Sequence, residues 1–230
     1  MTGRVTAFAV ASASDEIRKW PAPTGAMKVS HTGAGPSMLL ARLRRRDNGR
    51  VNNELDQLAA EIDSTCRLSG DFTLRSGLRT SEYFDKYRFE SRPDLLRRIA
   101  EAMVPLLPES TEVVGGLELG GVPIATMVSA LTGIPAVFVR KEAKTYGTCQ
   151  LAEGSDINGT HITLIEDVIT TGGAVRNAAI ALRALGAHVD TVICAIDRSE
   201  QGANKLSESG ITTRAVLTKT DLDRAASFPS

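Results

Sequence analysis

The apolar positions in the second half of the chain fall into short runs, and these runs alternate with segments of helical spacing. The runs lie at 112–117, 136–139, 162–165, 191–196 and 213–217. Short strands that are apolar on both faces are typical of a parallel sheet covered by helices on both sides. The pattern therefore predicts an α/β fold with a doubly wound, mainly parallel sheet.

Helical periodicity predicts the elements between and before these strands. Leu55, Leu58 and Ile62 recur on one face of a first helix, which Gly70 is expected to end. Two short strands are expected at 72–74 and 81–85. The remaining helices are predicted from a Ser91 cap to Met103, from Pro123 to Leu131, from Val175 to Leu185 before Gly186, and from Gly202 to Ser209.

The chain length and composition fit one folded domain with an appendage. The 230 residues are 42% hydrophobic and 23% charged, which is sufficient for a sizeable core. Residues 1–50 hold nine basic and three acidic residues and show no sustained period, so they are predicted to be a flexible extension of a domain at about 51–230. The basic segment 38–46 also fits a short helix or part of an organelle transit sequence.

Charge and cysteine usage exclude several classes of protein. The 27 basic and 27 acidic residues balance, so the chain lacks the net positive charge expected of a dedicated nucleic-acid binder. The three cysteines, Cys66, Cys149 and Cys194, are too far apart to indicate a disulfide framework or a zinc site. No apolar stretch approaches the roughly 18 residues of a membrane span. We therefore expect a cytoplasmic protein with neither nucleic-acid nor membrane partners.

The first candidate site follows the strand at 162–165. Glu166 and Asp167 come directly after this strand, and a Thr- and Gly-rich turn then leads into a helix. Backbone N–H groups at such a turn, together with the helix dipole, can cradle a phosphate. The two carboxylates suit ribose hydroxyls, so the segment indicates a ribose phosphate ligand. An ordinary acidic helix cap before a turn is the structural alternative.

Two further loops are expected at the same edge of the sheet, where ligands of such folds bind. Four glycines between 115 and 121 would allow the backbone to approach an anion closely, or would simply form a tight turn. Arg140, Lys141 and Lys144 lie within five residues on a loop that runs to about 158. This charge run fits either a mobile lid over a polyphosphate or a solvated surface segment.

These segments resemble those of a known enzyme family. Residues 161–175 are similar to the phosphoribosyl pyrophosphate signature of type I phosphoribosyltransferases, and 115–123 to their pyrophosphate loop. The ending G-G-V-P-I-A and the spacing R-K-E-A-K are typical of the orotate branch. The resemblance extends from about 51 to 225. It implies the type I fold, with a small N-terminal hood at about 51–90 and a core at about 91–225.

Residues that meet the base are also implied by this resemblance. Segments 72–77 and 80–86 are similar to the hood of the orotate enzymes, in which positions matching Arg75 and Phe84 contact the pyrimidine. Arg198 matches an arginine that binds the orotate carboxylate, a group suited to the two parallel donors of a guanidinium. Taken alone, Arg198 could instead form a salt bridge with Asp197 or Glu200.

The chain departs from the family pattern at three positions. Gly120 stands where some members have a lysine, so backbone amides are expected to carry more of the anion binding. Tyr146 stands where a loop histidine is common, and one extra residue, Leu78, follows the hood motif. The first two changes remove cationic groups, while Tyr146 keeps a hydrogen-bonding group.

The resemblance implies a reaction and a set of site residues. Orotate and phosphoribosyl pyrophosphate would give orotidine 5-monophosphate and pyrophosphate in UMP biosynthesis. Mg2+ would be carried by phosphoribosyl pyrophosphate without protein ligands, and a homodimer would share the mobile loop between subunits. The implied catalytic residues are Lys144, Asp167 and Arg140. The implied contacts of phosphoribosyl pyrophosphate are Arg140, Lys141, Lys144, Tyr146, Glu118, Leu119, Gly120, Gly121, Glu166, Asp167, Val168, Ile169, Thr170, Thr171, Gly172, Gly173 and Ala174. The implied contacts of orotate are Arg75, Phe84, Thr170 and Arg198.

Two other functions are compatible with parts of the sequence. A phosphoribosyltransferase for a purine or for uracil would share the phosphate motifs, but it would not require Arg75 and Arg198. A regulator that senses phosphoribosyl pyrophosphate could bind nucleic acid through the basic cluster 42–46. The segment has no recognisable helix-turn-helix, and a catalytic lid would be unexplained in such a sensor. DNA binding that disappears on deletion of 1–50 would favour the regulator.

Overall fold

A computed structural model of the chain describes residues 48–73, 77–141, 151–199 and 205–227. The helices in these ranges are α1 (Asn48–Cys66), α2 (Tyr87–Glu90), α3 (Pro93–Met103), α4 (Glu118–Thr132), α5 (Gly173–Ala184) and α6 (Lys219–Ala226), with 3-10 turns at Val104–Leu106 and Ser207–Ser209. The strands are β1 (Arg67–Thr73), β2 (Arg79–Phe84), β3 (Val113–Leu117), β4 (Ala136–Val139), β5 (Ala152–Gly154), β6 (His161–Ile169), β7 (His188–Asp197) and β8 (Thr212–Thr218).

Six strands form a central sheet in the order β5-β4-β3-β6-β7-β8. All neighbours in this sheet are parallel except β5, which runs antiparallel to β4 at the edge. From β3 the chain first goes outward to β4 and then returns to β6 on the other side of β3. Such a reversal opens a crevice at the carboxyl ends of the strands. The predicted doubly wound, mainly parallel sheet is confirmed.

The core consists of two apolar layers, one on each face of this sheet. Residues alternate between the faces, so Ile165 packs in one layer and Leu164 in the other. Helices α1, α3 and α4 cover the first face with side chains such as Ile62, Ile99 and Ile124. Helix α5 covers the second face. Because both faces are covered, the ends of the strands remain as the places where ligands can reach the sheet.

A separate two-stranded hairpin precedes the sheet. Strands β1 and β2 pair antiparallel, and the rings of Phe72 and Tyr83 lie 5.5 Å apart on it. The amide of Asp85 donates to the carbonyl of Cys66 at 2.8 Å and ties the end of the hairpin to α1. The short helix α2 follows directly. The hairpin therefore delivers Phe84 and α2 next to the sheet.

Several predicted boundaries are wrong. Ser91 does not cap α3, because its hydroxyl donates to the carbonyl of Arg88 and its backbone ends α2. Helix α4 begins at Glu118, so Pro123 lies inside the helix and does not open it. The first helix ends at Cys66 and not at Gly70, because Arg67 to Ser69 pair with β2. Strand β5 and helix α6 were not predicted.

Some predictions lie outside the described residues. They are the extension at 1–47, Arg75 of the hood, Lys144 and Tyr146 of the lid, Cys149, Glu200, and the first part of the helix expected at 202–209. Of that last helix, the described part contains a 3-10 turn at Ser207–Ser209. Within the described ranges, no helix combines the length and the apolar character of a membrane span.

Candidate active site

The carboxyl ends of four neighbouring strands bring the predicted site residues together. Glu118 to Gly121 begin α4 after β3, Arg140 and Lys141 follow β4, and Arg198 follows β7. Between them lies β6, which carries Glu166 and Asp167 and continues into the turn before α5. Residues that are far apart in the sequence therefore meet at one edge, as the sheet topology requires.

The two acidic residues lie within β6 and not after it. The strand continues to Ile169 because pairing with β7 persists, with Glu166 opposite Cys194 and Ile169 opposite Asp197. The Asp167 side chain is fully buried, and Glu166 is 8% exposed. The prediction that the two carboxylates directly follow the end of the strand is wrong. Both are held in a fixed, largely water-free position.

Asp167 is fixed by contacts to both of its carboxylate oxygens. The ammonium Nζ of Lys86, in the turn before α2, lies 2.5 Å from Oδ2. The backbone amide of Val168 donates to Oδ1 at 2.5 Å. Each oxygen has two lone-pair directions, so the carboxylate keeps acceptor capacity that a ligand could use once the residues that cover it move apart. Asp167 is a preorganised acceptor.

Glycines at the start of α4 allow this helix to touch β6. A Cβ atom on Gly120 would overlap Oδ2 of Asp167, and one on Gly121 would overlap the carbonyl oxygen of Ile165. Four glycines were expected in a loop, but Gly115 and Gly116 belong to β3 and the other two to α4. The segment is a direct strand-to-helix junction. A lysine at position 120 would not fit this arrangement of Asp167.

Burial and mutual interaction shift the pKa values of Asp167 and its two neighbouring carboxyl groups in different directions. Burial raises the pKa of Glu90 to about 8, and the neighbouring Asp167 charge adds to this rise. Burial, followed by Asp167, also raises the pKa of Glu166 well above its usual range. Burial alone would raise the pKa of Asp167, but hydrogen bonds from Glu166, Glu90 and Lys86 hold it below its ordinary value. Asp167 is the ionised member of the three at neutral pH.

The ammonium of Lys86 completes this charge arrangement. Burial opposes its charge, but the hydrogen bond and the charge of Asp167 outweigh burial and raise the pKa of Lys86. One cation therefore faces the carboxylate whose pKa is lowered, beside two carboxyl groups whose pKa values are raised. Two buried side-chain oxygens, Oε1 of Glu90 and Oδ2 of Asp167, have no partner of full hydrogen-bond geometry among the described residues, although Nζ of Lys86 lies 2.5 Å from Oδ2.

Glu90 gives a testable dependence of stability on pH. Its pKa rises from 4.5 to about 8 on folding, so the folded protein binds the extra proton and loses stability as the pH rises through this window. We expect Glu90→Gln to match the wild type in free energy of unfolding near pH 5. At pH 8 the variant should be more stable by more than about 1.4 kcal/mol, since one pKa unit corresponds to that amount.

Urea unfolding of both proteins at pH 5, 6, 7 and 8 measures this difference. Glu82→Gln, a change at an exposed carboxylate on β2, serves as the control and should track the wild type closely over the same range. A constant difference between Glu90→Gln and the wild type at all four pH values would contradict the assignment of a protonated Glu90.

The turn after β6 presents backbone donors at the start of α5. Gly172 adopts φ 71°, a left-handed conformation that glycine permits, and its carbonyl accepts the first helical hydrogen bond from Arg176. The amides of Gly173, Ala174 and Val175 therefore precede the first intrahelical donor. Thr170 and Thr171 are exposed beside them. This is the geometry of an anion site at a helix N-terminus.

A cavity of about 400 Å3 opens between α4, β4 and α5. Its lining includes Glu118, Arg140, Lys141 and Ala174. The Glu118 carboxylate accepts a hydrogen bond from the Lys141 amide, and the Glu118 backbone has φ 53°. A non-glycine residue in this conformation is strained and is often found at functional sites. The contact joins the start of α4 to the segment after β4.

Arg198 and Phe84 meet at the other side of the site. The guanidinium carbon of Arg198 lies 5.0 Å from the centre of the Phe84 ring, within cation–π range. The Asp197 carboxylate accepts hydrogen bonds from the Ser199 amide and hydroxyl at 2.9 and 2.6 Å. The hydrogen-bond partner described for Asp197 is thus Ser199. The end of the hairpin and the end of β7 thus place an aromatic ring against a cation.

Sequence reasoning missed Lys86 and Glu90. Lys86 directly precedes the short helix α2 and Glu90 ends it. Both side chains face Asp167, which is distant in the sequence. The only available signal was the position of Lys86 two residues after Phe84, in a segment already similar to a hood. Arg75, Lys144 and Tyr146 lie outside the described residues, so their roles stay predictions.

Comparisons with known proteins show the family to which the chain belongs. The family model of the phosphoribosyl transferase domain matches residues 89–212. An orotate phosphoribosyltransferase of Nocardioides sp. is 66% identical over 168 residues, which cover 73% of this chain and 94% of that protein. One of Methanocella arvoryzae is 39% identical over 153 residues, or 66% of this chain and 87% of that protein.

Solved structures give the same result. The orotate phosphoribosyltransferase of Mycobacterium tuberculosis superposes with a TM-score of 0.66 at 32% identity, covering 74% of this chain and 98% of that one. The same enzyme has been solved in complex with 5-phospho-alpha-D-ribosyl 1-diphosphate, and it superposes with a TM-score of 0.63 at 30% identity over 74% of this chain and 99% of that one. The chain belongs to the orotate phosphoribosyltransferases, within the phosphoribosyl transferase family.

Proposed function

We propose that the chain transfers the 5-phosphoribosyl group of phosphoribosyl pyrophosphate to orotate in the synthesis of UMP. A bond forms between N1 of orotate and C1 of the ribose, the bond from C1 to pyrophosphate breaks, and the N1 proton is released. The products are orotidine 5-monophosphate and pyrophosphate. The observation that carries the proposal is the meeting of a carboxylate pair, an anion turn and the Arg198–Phe84 contact at one edge of the sheet.

The ribose phosphate would be held by β6 and the following turn. The preorganised Asp167 carboxylate accepts hydrogen bonds from the ribose hydroxyls, and neutral Glu166 can both donate and accept. The amides at the start of α5, with the hydroxyls of Thr170 and Thr171, hold the 5-phosphate. Val168 and Ile169 connect the two parts in one strand.

The leaving pyrophosphate would lie toward the cavity on the other side. Arg140 and Lys141 supply positive charge there, and the amides from Leu119 to Gly121 supply backbone donors. Charge accumulates on the pyrophosphate as its bond to C1 breaks, so fixed positive groups stabilise the transition state more than the ground state. Lys144 and Tyr146 are proposed to act here by resemblance. No protein nucleophile is required.

Mg2+ is proposed to enter with the pyrophosphate group. Among the residues that the structure describes, no group of three His, Cys, Asp or Glu side chains could hold a metal ion. Mg2+ commonly keeps several waters and binds through substrate phosphates, which fits this donor set. When bound, it would neutralise charge on the leaving group.

Two broader expectations belong to the same proposal. The working form is proposed to be a homodimer in which the loop after Lys141 reaches the neighbouring active site, and the location is proposed to be the cytoplasm. Both rest on resemblance. Sedimentation of the purified protein and mixed dimers of two inactive variants would test the dimer, because complementation requires a shared site.

The test of the reaction is the loss of orotate absorbance on mixing the protein with orotate, phosphoribosyl pyrophosphate and Mg2+. Adenine, hypoxanthine and uracil are tested in parallel. Consumption of orotate alone would fix both the substrate and the reaction. Consumption of another base, with orotate left unchanged, would replace the proposed substrate.

Arg198 gives a test of the base pocket. Because a guanidinium can bind the orotate carboxylate through two hydrogen bonds, we expect Arg198→Ala to raise the KM for orotate about 10- to 100-fold. The KM for phosphoribosyl pyrophosphate should change much less. Arg97→Ala, at an exposed arginine on α3, is the control and should leave both constants unchanged. An unaltered KM for orotate in Arg198→Ala would reject the carboxylate contact.

A further inference from the structure

The contact between Lys86 and Asp167 joins the base side of the site to its ribose side. Lys86 follows Phe84 by two residues, so the same turn carries the ring beside Arg198 and the ammonium on Asp167. The distance from Nζ to Oδ2 is 2.5 Å, and the Asp167 side chain has no exposed surface. We propose that Lys86 is a positioning residue that holds the Asp167 carboxylate for the ribose of phosphoribosyl pyrophosphate. This inference rests on the proposed function and deepens it.

The backbone around Lys86 is firmly anchored, as a positioning role requires. The Asp85 amide is bonded to the carbonyl of Cys66, and the carbonyl of Lys86 accepts from Phe89 at 3.2 Å and Glu90 at 3.4 Å. Phe89 is completely buried, which fixes α2 against the core. The ammonium is therefore delivered by a rigid turn and not by a free surface chain.

A buried carboxylate with one cation depends strongly on that cation. Removing the charge of Lys86 would leave Asp167 buried beside Glu90 and Glu166, whose ionisation would add like charge. Asp167 would then take up a proton at higher pH and would lose acceptor capacity for the ribose. Lys86 can thus influence binding of phosphoribosyl pyrophosphate without touching it.

The test compares Lys86→Met, which removes the charge, with Lys86→Arg, which keeps it. Lys86→Met should lower kcat/KM for phosphoribosyl pyrophosphate about 10- to 100-fold, a typical cost of losing a group that orients a functional ligand. In the profile of kcat/KM against pH, the fall in rate on the acidic side should begin at a higher pH in Lys86→Met than in the wild type. In Lys86→Arg, the fall in kcat/KM on the acidic side should begin near the same pH as in the wild type. The charged and titratable groups known to face Asp167 from the described elements are Lys86, Glu90 and Glu166.

Lys219→Met is the matched control, because Lys219 makes an equally short ion pair with Asp223, at 2.5 Å, on α6. It should retain the wild-type rate and pH profile. An unchanged kcat/KM in Lys86→Met would overturn the proposal. So would a uniform loss at every pH that Lys86→Arg does not relieve, since that result indicates a purely structural contact.

A binding measurement keeps the proposal testable by another route. If Lys86→Met does not fold, the double variant Lys86→Met/Asp167→Asn removes both charges and leaves no buried ion unpaired. Calorimetric binding of phosphoribosyl pyrophosphate by this variant should equal that of Asp167→Asn, and a further loss of more than about tenfold would overturn the coupling. If the wild type binds phosphoribosyl pyrophosphate but leaves orotate unchanged, the proposed base has failed, and the same binding assay still tests Lys86.

Discussion

Gly120→Ala is expected to abolish most of the activity through a single added methyl group. The Cβ atom would overlap Oδ2 of Asp167, the same oxygen that Lys86 contacts. Ile124 and Ala125 of α4 are completely buried in the core, so the helix has little freedom to withdraw. The Asp167 side chain must therefore move, and with it the proposed ribose contact.

We expect kcat/KM for phosphoribosyl pyrophosphate to fall by about 100-fold or more in Gly120→Ala, because small displacements in a preorganised site have large effects. Overpacking should also reduce the free energy of unfolding by about 1–3 kcal/mol. Steady-state kinetics and urea unfolding on the same preparations measure the two effects.

Gly133→Ala separates these effects. Gly133 ends α4 at φ 75°, far along the helix from the site, and a Cβ atom there has no neighbour within 4 Å. This variant should lose stability through backbone strain of about 1 kcal/mol while keeping its activity. Wild-type kinetics in Gly120→Ala would show that Asp167 tolerates displacement and would remove it from the proposed ribose contacts.

The overall fold was accessible to sequence reasoning because its signal is local. The runs that become β3, β6 and β7 are apolar on both faces, and only a sheet covered on both sides satisfies such segments. Strand β5 was missed because it has three residues and one is glycine, so it exists through its pairing with β4. Helix α6 has one large apolar residue, Leu222, and its capping box of Thr218 and Asp221 was the signal available.

The site was only partly accessible, since its chemistry depends on contacts between distant segments. The anion turn is contiguous in sequence, so its residues could be identified together. The roles of Lys86 and Glu90 arise only when α2 packs against β6. In the same way, the sequence gives no reason to treat Glu166 and Asp167 differently. Their surroundings in the folded chain shift the pKa of Glu166 upward and the pKa of Asp167 downward.

That difference predicts unequal effects for two neighbouring substitutions. Asp167→Asn replaces an ionised acceptor by a neutral amide and leaves Lys86 facing no charge. We expect kcat/KM for phosphoribosyl pyrophosphate to fall about 100- to 1000-fold, the usual cost of losing one preorganised electrostatic contact. Burial raises the pKa of Glu166 well above its usual range, so its protonated form is favoured, and the amide of Glu166→Gln keeps both the donor and the acceptor capacity of that form. Its loss should stay below about tenfold.

Kinetics of both variants at pH 7, with the thermal midpoint of each as a measure of folding, make the comparison direct. Glu61→Gln, at a carboxylate on α1 that pairs with Arg98 at 2.6 Å, controls for a generic change of charge. Equal losses in Asp167→Asn and Glu166→Gln would mean that both residues act as ionised acceptors. The inference that Glu166 and Asp167 differ in protonation at pH 7 would then be wrong. A large loss in Asp167→Asn alone would identify Asp167 as the carboxylate on which transfer depends.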